Sequence, residues 1–128
     1  MFSILQKFSE IIKNTRIILY EFEENQVRIK AEVELIDGST LVIKDYKFSN
    51  NTRKYAYHWM DKKEKLKIRW DNAPHWESIS TFPHHKHVES AENLLPSTET
   101  NLESVLDFLK RELTGSQKEK KRTKRTVK

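Results

Sequence analysis

The sequence predicts an α+β fold, with one antiparallel sheet and helices packed on one of its faces. Three observations carry this. Apolar residues recur at three- and four-residue spacing near both ends, over residues 4–12 and 102–113. Between those ends the apolar residues alternate with polar ones at a period of two. Turn-forming clusters separate the alternating runs, and Asp37-Gly38 is the strongest hairpin signal among them.

At the N-terminus Ile4, Leu5, Phe8, Ile11 and Ile12 make an amphipathic helix of about three turns. From Thr15 the pattern turns to short β-branched runs. Val27, Ile29, Ala31, Val33 and Leu35 alternate with Arg28, Lys30, Glu32 and Glu34, as in a half-buried strand. After Asp37-Gly38 a third strand runs through Leu41-Val42-Ile43 towards Phe48, and Ser49-Asn50-Asn51-Thr52 breaks it. Tyr55, Tyr57 and Trp59, then Leu66, Ile68 and Trp70, give the next hairpin one apolar face. Its other face gathers Lys54, His58, Lys67, Arg69 and Asp71. A four-residue loop would set His58 opposite Lys67, and a two-residue slip would set it opposite Arg69 without changing the face. A Pro-punctuated loop follows, and a second helix begins near Thr98 or Thr100, with Gly115 as its stop. That makes about five strands. Residues 1–115 read as one domain, and 116–128 as a disordered Lys/Arg-rich tail.

The net charge of +5 is uneven. Residues 1–43 carry −2, 44–87 carry +5, 88–115 carry −4 and 116–128 carry +6. The middle and the tail therefore favour a polyanionic partner, and the tail reads as an RNA tether or as a solvated appendage. With no cysteine there is no disulfide, thiolate nucleophile or Cys-ligated metal. Two glycines cannot build a phosphate-cradling loop. The longest apolar run, Ile17 to Tyr20, is far short of the roughly 20 residues a membrane span requires. The first residues lack the uninterrupted apolar stretch of a signal peptide, so a cytoplasmic protein with no membrane contact is expected.

All five histidines (His58, His75, His84, His85, His87) lie in the basic middle segment. Histidine exchanges protons near neutral pH, so the cluster points to acid/base work, metal ligation or a pH switch, against a purely structural role. Metal-independent RNA cleavage would draw its acid and base from His58, His75, His84 and His87, with Asp71 orienting one of them and no cofactor. Lys54, Lys67, Arg69 and Lys86 would contact phosphate, and Trp76, Tyr55 or Phe82 would stack an unpaired base. Alternatively His85 and His87, two apart on an extended segment, would hold a metal with His75 or Asp71, although Lys54, Lys67 and Arg69 crowding the same face count against this. The third reading is a non-catalytic nucleic-acid or partner-binding module.

The string Arg69-Trp70-Asp71-Asn72-Ala73-Pro74-His75, then Phe82-Pro83-His84-His85-Lys86-His87, resembles the TumE-type toxins of prokaryotic toxin–antitoxin pairs. The preceding Tyr55-Ala56-Tyr57-His58 fits as well, and the likeness spans roughly residues 15–113. The resemblance implies a growth-inhibiting toxin, a cognate antitoxin and a nuclease activity. The expectation is thus a toxin acting as a metal-independent endoribonuclease. A metal-dependent nuclease or phosphotransfer enzyme (through His75, His85 and His87) and the binding module stand as alternatives, with a homodimer left open.

Overall fold

The structure, a computed structural model, describes the backbone of residues 1–126 and the side chains of residues 1–115. A short helix α1 (Phe2–Lys7) and a 3-10 turn (Ser9–Ile11) lead into seven strands: β1 (Ile12–Glu23), β2 (Gln26–Leu35), β3 (Thr40–Lys47), β4 (Arg53–Met60), β5 (Leu66–Asp71), β6 (His85–Val88) and β7 (Leu94–Pro96). Helix α2 (Leu102–Thr126) closes the chain. The strands form one antiparallel meander in the order β1 to β7.

The predicted first helix is cut short. Phe8 leaves helical geometry (φ −105°, ψ 23°), and Leu5, Phe8 and Ile11 are buried at the three-residue spacing of a tighter turn. Ile12 already belongs to β1. Two strands exceed the expected five, because His85–Val88 and Leu94–Pro96 pair where the pattern reads as loop. Each is too short, and too rich in histidine or proline, to show apolar alternation. Helix α2 is capped by Asn101 rather than a threonine: Ser104 N donates to Asn101 Oδ1 (2.8 Å), and Asn101 N donates back to Ser104 Oγ (3.2 Å). The helix passes through Gly115. The expected disordered tail, 116–128, lies outside the described side chains.

One sheet face is the core. Ala31, Val33, Leu35, Leu41, Ile43, Tyr55, Tyr57, Trp59 and Trp70 are buried there beneath Leu102, Val105, Leu106, Leu109 and Leu113 of α2. Within this layer Trp70 Nε1 donates to Glu99, and Trp59 Nε1 donates to Ser39 Oγ. Among the described residues, no helix packs on the opposite face.

The β4–β5 register is the slipped one. Tyr57 lies opposite Trp70, His58 opposite Arg69 and Trp59 opposite Ile68. The turn explains this. Asp61 O accepts from Glu64 N, Asp61 N donates to Lys65 O, and Glu64 sits at φ 64°, so the loop holds three residues. Asp61 Oδ1 holds it through Lys63 N and Lys65 N. Met60 then pairs with Leu66, and Lys67 is the extra residue of a bulge.

Candidate functional site

The strand registers place two cross-strand rows side by side on the open face. One row runs Val42, His58, Arg69, His87 from β3 to β6, and the other runs Lys44, Ala56, Asp71, His85. Five groups capable of chemistry thus meet: His58, Arg69, Asp71, His85 and His87.

Asp71 is the hub. It is buried at the end of β5, and its Oδ1 accepts from Ala73 N (3.0 Å), which closes the turn of the Asp-Asn-Ala-Pro stretch. Oδ1 also lies 2.8 Å from His85 Nε2. Oδ2 lies 3.3 Å from Arg69 Nε and 3.5 Å from His87 Nε2. Both rings are anchored at their other nitrogen. His85 Nδ1 donates to Pro83 O (3.0 Å) and His87 Nδ1 to Ala91 O (2.9 Å), because a carbonyl can only accept. Their Nε2 atoms are therefore held facing the carboxylate. Atoms from Asp71, His85 and His87 lie within 4.8 Å of one another, so the three can hold a metal ion.

His58 stands between Val42 and Arg69, and its Nδ1 is buried with no hydrogen-bond partner among the described residues. Burial, reinforced by the Arg69 charge, lowers its pKa below the ordinary histidine value. A neutral imidazole beside a fixed guanidinium can take a proton while the guanidinium holds an anion.

Other expected site residues lie elsewhere. His84 is on the helix side, where Tyr55 stacks on it and Tyr55 Oη lies 2.8 Å from His84 Nδ1. His75 is exposed in the loop after β5, as is Trp76. Lys86 alternates with His85 and His87, so it too faces the helices, 3.3 Å from Glu99. Burial alone would raise the Glu99 pKa, but hydrogen bonds from Trp70 and Thr98 and the Lys86 charge bring it below the ordinary value. The bulge turns Lys67 to that side, with its ammonium 4.2 Å from the Trp59 ring centre. Lys54 stays on the open face, opposite Tyr46.

The open face also carries cations that the sequence reading passed over. Arg28 lies opposite Tyr46, and Lys30 opposite Lys44. Arg28 and Lys44 reach the Tyr46 ring, 5.8 and 5.0 Å from its centre. Period-two spacing puts Arg28 with Lys30 on one face of β2 and Lys54 with His58 on one face of β4, and the pairing through β3 brings those faces together.

A single-sheet α+β domain with a histidine–carboxylate–arginine cluster, largely buried, on the sheet face opposite the helices describes the class to which the chain conforms. The chain belongs to the TumE toxin family: the family model described as "Toxin TumE" matches residues 1–113. It is a toxin component, and the family implies a cognate antitoxin. No curated protein and no solved structure matches it. No helix among the described residues is long and apolar enough to cross a membrane.

Proposed function

We propose that this toxin acts on RNA in the cytoplasm, as an endoribonuclease working from the open face. The observation that carries the reading is the row His58, Arg69, His87, with Asp71 and His85 directly beside it. His58 takes the proton of a ribose 2′-hydroxyl, whose oxygen attacks the adjacent phosphorus. Arg69 meets the charge on the phosphorane oxygens. The bond from phosphorus to the 5′-oxygen breaks, and that oxygen receives a proton, leaving a 2′,3′-cyclic phosphate. In the metal-independent form, His87 supplies that proton, held in place by Asp71.

Arg28, Lys30, Lys44 and Lys54 extend the positive face across β2 to β4, and Tyr46 offers a ring on which an unpaired base stacks. These groups would guide a single strand into the site. A second reading, a metal-dependent nuclease or phosphotransfer enzyme, draws support from the two Nε2 atoms turned towards Asp71.

The test is incubation of the purified chain with RNA, with and without EDTA, beside a His58→Ala variant. Cyclic-phosphate ends that form in EDTA and vanish in the variant are the expected result. Cleavage lost in EDTA and restored by a divalent ion selects the second reading. RNA left whole but retarded on a gel leaves a binding module.

A further inference from the structure

His85 and His87 approach Asp71 in an arrangement that two neutral rings cannot satisfy. Each Nδ1 carries the ring proton and gives it to a backbone carbonyl, Pro83 O or Ala91 O. The Nε2 of such a neutral ring has a lone pair and no proton. For His85 that lone pair would face a carboxylate oxygen at 2.8 Å, and for His87 one at 3.5 Å. A cation between the Nε2 lone pairs and the carboxylate would satisfy all three groups at once.

We propose that Asp71, His85 and His87 bind one divalent transition-metal cation of the Zn²⁺ or Co²⁺ type. Two ligand atoms about 2.1 Å from one cation, at octahedral or tetrahedral angles, stand roughly 3.0–3.4 Å apart. His85 Nε2 lies 2.8 Å from Asp71 Oδ1 and His87 Nε2 3.5 Å from Oδ2, so closing all three groups on one cation requires shifts of about a few tenths of an ångström. Two imidazoles and one carboxylate favour a transition metal over Mg²⁺ or Ca²⁺. The outer contacts are those that orient metal ligands: Nδ1 to backbone carbonyls, and Ala73 N on the carboxylate.

The charge objection to a metal also weakens. Of the three cations expected on that face, Lys67 faces the helices, while Lys54 stays on the face two residues beyond Ala56. Arg69 remains, with its side chain 42% exposed and its charge partly screened by water. Three protein ligands leave coordination positions open to water or a phosphate oxygen. Cation binding belongs to the protein alone and does not require the RNA reading.

The full chain, stripped with EDTA and dialysed, is titrated with Co²⁺ by visible absorption and with Zn²⁺ by calorimetry. One cation per chain is expected. His87→Ala should weaken binding at least about tenfold, while His75→Ala should leave it unchanged. Circular dichroism checks that His87→Ala folds, and Asp71→Asn provides a second variant with the same expected loss. Absence of binding at micromolar metal overturns the proposal, as does affinity indifferent to His87→Ala and Asp71→Asn. The three side chains are then a structural cluster that ties β5 to β6. A cation bound to a chain that leaves RNA intact overturns only the nuclease reading. Cleavage that survives EDTA removes the cation from the reaction and not from the site.

Discussion

Asp71 Oδ1 lies 2.8 Å from His85 Nε2, and the same oxygen accepts the backbone N–H of Ala73. One buried carboxylate thus ties β5 to β6 and shapes the loop between them. Asp71→Asn keeps the volume but removes the charge that Arg69, His85 and His87 converge on. We expect cleavage to fall by at least about 100-fold, the usual scale for a positioned acid–base group. Stability should fall by about 1–3 kcal/mol, because buried polar partners lose their acceptor. Single-turnover rates and urea unfolding of the same variant separate the two effects.

Lys54 and Lys86 should behave differently despite equal charge. Lys54→Ala is expected to weaken RNA binding and reduce the slope of log affinity against log salt by about 1. Lys86→Met should leave that slope unchanged, because Lys86 meets Glu99 on the helix side. Binding isotherms at several salt concentrations decide it. An equal change in both slopes would mean that RNA lies across the wrong face.

Protonation of His58 is opposed by burial and by Arg69 from β5, while β3 sets Val42 directly opposite it and Lys44 on the neighbouring diagonal. His87 stands beyond Arg69 in the same row. The folded pKa is lowered, so the unfolded chain binds more protons in the window between the folded value and the ordinary value of 6.5. Stability contributed by His58 is complete above 6.5, declines as pH falls through that window, and levels off below it. If neutral His58 is the base, the acid limb of cleavage lies below pH 6.5. Arg69→Gln should move that limb upward, whatever it does to the rate. Rate–pH profiles of the two proteins supply the comparison.

Gly38 turns the β2–β3 hairpin at φ +87°, where an L side chain is strained. A Cβ there would also meet the Lys62 side chain, at 2.2 Å from Cε, but that flexible stem can move aside. Gly38→Ala should therefore cost about 1–2 kcal/mol, mostly from the backbone. Leu106→Ala, in the middle of the buried stripe of α2, should cost about 2–5 kcal/mol. Denaturant midpoints rank the two, and Leu106→Ala should prove the more damaging.

The sequence by itself determined which residues share a face. Period-two alternation put Tyr55, Tyr57, Trp59 and Trp70 into the core and His58, Arg69 and Asp71 on the other side, because successive strand side chains point oppositely whatever the register. The FPHHKH stretch did not yield to the same reasoning. Its strand is four residues long and its buried member is a histidine, so hydrophobicity carries no signal there.

Only the tertiary structure decided who meets whom. The three-residue turn held by Asp61 and the bulge at Lys67 each moved the β4–β5 pairing by one residue, and the bulge turned that lysine over. Pairing of β6 with β5 then split the four neighbouring residues His84 to His87 between the two faces. His85 and His87 went to Asp71, His84 to Tyr55 and Lys86 to Glu99. Register and bulges depend on turn hydrogen bonds and on strands distant in the chain, which local pattern does not encode.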